Sequence, residues 1–158
     1  MAIYTVEFEI APLSATSTKS VFLLEPGTPK VRLTELCVSL DASAAANGVK
    51  FEYYQVAALG TPAGTSFTPL QDDPNDGASA VTALTALTTE PTTVTVFRPF
   101  YVQPFAGLFY AQFPLGREWF LASTSHSGIG VGLRYTTTSG SGTPDLSGWV
   151  SWVESNDS

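Results

Sequence analysis

Tyr4-Thr5-Val6-Glu7-Phe8-Glu9-Ile10 alternates apolar and polar side chains without a break. A period of two puts Tyr4, Val6, Phe8 and Ile10 on one side of an extended chain and Thr5, Glu7 and Glu9 on the other. The stretch therefore predicts a strand with one face on a core and one in water. The same signal returns after the Asn47-Gly48 turn, where Val49, Phe51 and Tyr53 alternate with Lys50, Glu52 and Tyr54. It returns again where Ile129, Val131, Leu133 and Tyr135 alternate with Gly128, Gly130, Gly132 and Arg134.

Between these anchors the pattern is strands and turns. Val21 to Leu24 is a short apolar run closed by Glu25-Pro26-Gly27. In Val31, Leu33, Leu36, Val38, Leu40 the inward parity slips by one residue near Thr34-Glu35, which a β-bulge would absorb. Residues 59–77 carry three prolines and three glycines, too many for a helix or a central strand, and read as an extended surface excursion. Val81, Leu84 and Leu87 have helical spacing among poorly helix-forming threonines, which leaves helix and strand both open. Thr93 to Val102 is interrupted at Arg98-Pro99, as an edge or bent strand would be. Shorter strands follow at Leu108 to Phe113 and Glu118 to Ser123. The strand Trp149 to Glu154 sets Trp149 and Val153 on one face and Val150 and Trp152 on the other, so both faces are expected to be covered. Eight or nine short strands without a firm helix predict an all-β, antiparallel two-sheet sandwich, with a closed barrel as the rival.

The length of 158 residues suits one domain, 1–158, with residues 155–158 as a disordered tail. Charged residues are only 13% of the chain against a usual figure of about 25%, and hydrophobic residues are 44%. Thr, Ser, Gly and Gln supply much of the polar surface, a mixture cheap to bury against a partner. The net charge of −7 and seven scattered basic residues argue against a nucleic-acid partner. Cys37 alone excludes an internal disulfide. No signal peptide and no transmembrane helix is expected, which points to synthesis in the cytoplasm without a membrane partner.

Candidate chemistry is thin. The Asp72-Asp73-Pro74-Asn75-Asp76-Gly77 loop invites a cation, but Pro74 stands where a ligand is needed, and turn chemistry explains the acids. His126 sits among serines without a nucleophile elbow, and reads as a turn histidine. Glu7 and Glu9 share a solvent face rather than flanking a cleft. Gly60-Thr61-Pro62-Ala63-Gly64-Thr65 lacks the Lys of a phosphate loop. No catalytic, cofactor-binding or metal site is therefore expected. The Gly128 to Gly132 face is bare enough to admit another part of the chain, or a neighbouring subunit. The aromatics from Phe97 to Phe113 exceed what one sheet layer obviously needs, and either pack the sandwich core or face a partner. Phe97, Phe100, Tyr101, Phe105 and Trp152 are the expected contacts to another subunit or a shell. The alternative is a carbohydrate-binding sandwich module that stacks sugars on exposed aromatics such as Tyr54 or Trp119.

Val31-Arg32-Leu33-Thr34-Glu35-Leu36, Gly48-Val49-Lys50-Phe51-Glu52-Tyr53 and the Glu90-Pro91-Thr92 turn resemble segments of small head proteins of tailed bacteriophages. So do Pro114-Leu115-Gly116-Arg117-Glu118, Gly128-Ile129-Gly130-Val131 and Gly148-Trp149-Val150-Ser151-Trp152-Val153-Glu154. The resemblance implies a jelly-roll-like sandwich that decorates or cements a capsid exterior, as a homotrimer on the major capsid protein, with no catalytic residues. Residues 1–10 match the family less well, so they are expected either to complete the sheet or to form an edge strand reaching a neighbouring subunit.

Overall fold

The computed structural model describes residues 2–27, 30–42, 47–114, 117, 119–121 and 130–155, with the side chains of Phe97 and of 119–121 outside the description. Twelve strands and no helix occur among them: β1 (Ala2–Ile10), β2 (Thr18–Glu25), β3 (Lys30–Asp41), β4 (Val49–Ala58), β5 (Ala63–Phe67), β6 (Leu70–Gln71), β7 (Thr82–Thr89), β8 (Thr93–Val102), β9 (Gly107–Gln112), β10 (Trp119–Leu121), β11 (Val131–Thr136) and β12 (Asp145–Ser155).

They form two antiparallel sheets. The first runs β10-β3-β12-β1-β6, with β9 also paired to β3, and the second runs β5-β7-β2-β11-β4-β8. The pairs β1 with β12, β2 with β11, β3 with β9 and β4 with β8 are nested, as though one long hairpin had been rolled on itself. Rolling brings β12 against β3 and β11 against β4, which completes β1-β12-β3-β9 facing β2-β11-β4-β8. That is the order of an eight-stranded jelly roll, so the chain is a jelly-roll β-sandwich rather than a closed barrel. The excursion at the hairpin tip adds β6 to the outer edge of β1 and the β5–β7 pair to the outer edge of β2.

The alternation of β1 is realised as written: Tyr4, Val6 and Phe8 are buried while Glu7 and Glu9 are exposed. β1 lies between β12 and β6 of its own chain, so it completes the sheet. The helical spacing at 81–87 is overridden. Thr82–Thr89 is strand β7, whose β-branched threonines suit the pleat, with Ala83, Thr85 and Leu87 buried. The parity slip in β3 is a bulge at Thr34, because Ser151 pairs with Glu35 and Trp152 with Leu33. Arg98 is the extra residue of a second bulge, between Pro99 opposite Glu52 and Phe97 opposite Tyr53, at a φ of 51°.

Between the sheets lies one large core that includes Phe8, Phe22, Phe51, Leu133, Val150 and Trp152. A smaller cluster of Leu23, Tyr54, Val56 and Leu87 lies on the other face of the second sheet. Val21 to Leu24 is thus buried on both faces, which is why it reads as an unbroken apolar run. The glycine face of β11 is filled from within the chain. Tyr54 lies over Gly132, where an added Cβ would come within 2.3 Å of its ring, and its hydroxyl points to the Phe22 carbonyl at 3.4 Å.

Candidate functional site

Two expected contact residues belong to the interior. Trp152 is 0% exposed, stacked near Tyr4, with its Nε1 donating to Glu154 at 3.0 Å. This corrects its assignment to an interface: its face of β12 is the core face, shared with Val150. The Glu154 carboxylate also accepts from Ser79 Oγ and from the Ala80 amide, so it fastens the segment before β7 to the sandwich. Phe100 is half-buried and stacks on Phe51 at 5.4 Å and on Phe109 at 3.9 Å, closing the seam between edge strands β8 and β9. Phe97 pairs with Tyr53 through the backbone, and its side chain lies outside the description.

Tyr101 and Phe105 do reach solvent. They are 69% and 65% exposed at the bend joining β8 to β9, and Leu108 just beyond is 68% exposed. Tyr101, opposite Lys50, belongs to the outer face of the second sheet, whereas Leu108 belongs to an apolar surface on the outer face of the first. Register sets Glu7 opposite Trp149, Trp149 opposite Cys37 and Cys37 opposite Tyr110. The neighbouring row reads Glu9, Ser147, Ser39, Leu108. Trp149 and Tyr110 are exposed, two strand spacings apart or roughly 9–10 Å, with the small Cys37 between them. Together with Ser39, Leu108 and Ser147 they line an open, mostly apolar depression of about 570 Å³. Burial pushes the Cys37 thiol above its ordinary range.

Trp149 was expected to be covered and is not. Its face of β12 also carries Ser147 and Ser151, and that polar flanking is the signal that marks an outward side. Leu108 likewise lies outside the expected contact set. Tyr54 is fully buried, so it offers no surface for a sugar. The side chain of Trp119 lies outside the description.

The other polar groupings hold structure together. On the outer face of the second sheet, Arg134 donates to Glu52 at 2.9 Å and Lys50 pairs with the same carboxylate. Burial pushes Glu52 up, but the hydrogen bonds from Lys50 and Arg134 outweigh it and hold the carboxyl below its ordinary value. Ser20 donates to Glu90 through its hydroxyl and its amide, clamping the turn after β7 to β2. At 72–77, Asp73 Oδ1 accepts from the Asn75 amide and side chain, both at 2.9 Å, and Asp76 N donates to the Asp73 carbonyl, which makes the loop an Asx-type turn. Those two bonds from Asn75 also hold the Asp73 carboxyl below its ordinary range. Among the described residues no three His, Cys, Asp or Glu side chains converge as metal ligands. His126 and residues 156–158 lie outside the described residues, whereas Ser155, expected in the tail, ends β12 opposite Lys30. No protein-family model matches the chain, and no curated protein matches it either.

Proposed function

We propose that this chain is a non-enzymatic assembly subunit, a jelly-roll decoration or cement protein that associates as a homotrimer and bridges neighbouring subunits of a capsid exterior. The observation that carries this reading is the set of exposed large apolar side chains, with Leu108, Tyr110 and Trp149 grouped around one depression on the outer face of the first sheet and Tyr101 and Phe105 at the bend joining β8 to β9. Single exposed apolar residues are ordinary on any protein, whereas several large ones grouped around one depression mark a contact surface. Low charge lowers the cost of burying the surrounding surface. The resemblance to small phage head proteins supports the major capsid protein as the partner and the virion exterior as the location. The mechanism is added contact area: each contact would bury on the order of 1,000 Å² or more and hold adjacent capsomers against outward pressure.

Size-exclusion chromatography with light scattering, with and without empty capsid shells, tests this. A trimer that co-migrates with shells is the expected result. A monomer that ignores them overturns the reading.

The exposed Trp149 and Tyr110 pair favours one alternative, a carbohydrate-binding module of a fibre or surface protein. Binding of neutral glycans that is lost in Trp149→Ala, without change of oligomeric state, would establish it.

A further inference from the structure

We infer that the depression between Trp149 and Tyr110 is an anchor slot for an apolar side chain of a different protein, presented between cationic neighbours. This rests on the reading of the chain as an assembly subunit, and specifies which side of it meets the unlike partner.

The slot is made by register. Two aromatic side chains stand one strand to either side of Cys37, leaving a gap of roughly 9–10 Å with a small floor. That gap admits one side chain in contact with both walls. Apart from the Ser39 and Ser147 hydroxyls and the polar tips of Tyr110 and Trp149, the lining is apolar, which suits a leucine or aromatic anchor.

The charges around the slot choose the occupant. Glu7 stands beside Trp149 in the same row, Glu9 lies one row to one side, and Glu35 lies one row to the other, where Gln112 donates to it at 3.1 Å. Asp41 and Asp145, paired in register, extend the negative surface beyond Ser39 and Ser147. Lys30 and Arg32 project on this side only near the far end of the sheet, where Arg32 pairs with Val153, four residues or roughly 13 Å from Trp149. Screening in physiological salt has a length of about 8 Å, so the three glutamates dominate the rim. Two copies pressed together on this face would oppose acid to acid, which disfavours self-association here. A partner with Lys or Arg flanking its anchor gains from the same arrangement.

The test is a two-dimensional NMR titration of the full-length chain with the capped peptide Gly-Lys-Leu-Lys-Gly and its counterpart Gly-Glu-Leu-Glu-Gly. The lysine peptide is expected to shift Cys37, Ser39, Leu108 and the Trp149 indole, and to bind about five-fold tighter than the glutamate peptide. That ratio should fall toward one in about 1 M salt, where screening shortens to about 3 Å. Trp149→Ala should abolish the shifts. Glu9→Lys, an exposed change compatible with the fold, should cancel most of the charge preference. Equal affinity for the two peptides, shifts elsewhere on the molecule, or equal shifts from a neutral maltohexaose would each overturn the inference. So would loss of the oligomer in Glu9→Lys or Trp149→Ala, since a second copy would then be the occupant. Co-migration with shells without a peptide preference would refute the slot and leave the assembly reading standing. The reverse result would refute the assembly reading alone.

Discussion

Trp152 and Trp149 are three residues apart on one strand and have opposite fates, one in the core and one in solvent. Removing them should therefore do different things. Trp152→Ala is expected to cost about 3–5 kcal/mol in chemical denaturation, because it opens a large cavity and removes the indole donor to Glu154. Trp149→Ala should leave the denaturation midpoint nearly unchanged. Gly132→Ala drives a methyl group into the Tyr54 ring and the Phe22 carbonyl and should cost about 1–3 kcal/mol. Adding Tyr54→Leu should recover part of that loss, so the two changes will not be additive. Glu52 sets a pH dependence. Its carboxyl is held below its ordinary value of 4.5 in the fold, so the unfolded chain binds the proton more readily. The contribution is in full above that value and is lost as pH falls through and below it. Glu52→Gln should thus cost about 1–2 kcal/mol at neutral pH and progressively less as the pH falls below the ordinary carboxylate range, read from urea melts at each pH. Glu25 works with opposite sign, since burial raises its carboxyl and favours the protonated fold. The buried side of β1 was legible because polar residues sit strictly between its apolar ones. The two tryptophans of β12 were not, since an apolar residue on each face looks the same whether one side or both are covered.

At the scale of elements, both bulges were visible in the sequence for physical reasons. A one-residue parity slip at Thr34 has to be absorbed if Leu33 and Leu36 are both to face inward, and Arg98-Pro99 breaks a run that otherwise alternates. The Arg98 bulge takes a left-handed conformation, at φ 51°, that a side chain disfavours. Arg98→Gly should therefore be neutral or stabilising by up to about 1 kcal/mol, while Arg98→Val should destabilise, in the same thermal melt. β7 was the ambiguous element. Its leucines fit a helix by spacing, and only the partner strands β2 and β5, distant in sequence, decide for a strand. No local pattern carries that information.

For the whole molecule, the count of short strands and turn signals was enough for an all-β fold with one apolar face per strand, but a closed barrel buries such strands as well as a sandwich does, and only the strand pairing decides between them. The nesting of β1 with β12 down to β4 with β8 was not readable, since it depends on pairings across most of the chain. The candidate surface was legible in part. Tyr101 and Phe105 were marked by an excess of aromatics, whereas the slot between Trp149 and Tyr110 exists only once β12, β3 and β9 lie side by side. If the molecule assembles as proposed, Tyr101→Ser with Phe105→Ser should weaken shell binding at least about ten-fold in co-sedimentation, with an unchanged melting temperature. The position of β12 has a consequence in time. It separates β1 from β3 and pairs with both along most of its length. While the ribosome is still adding residues 145–155, two long strands made much earlier wait with open edges and with half of the core unsealed. The chain should therefore emerge sticky, fold slowly and only after its neighbours are complete, and rely on chaperone shelter in proportion to how fast it is made.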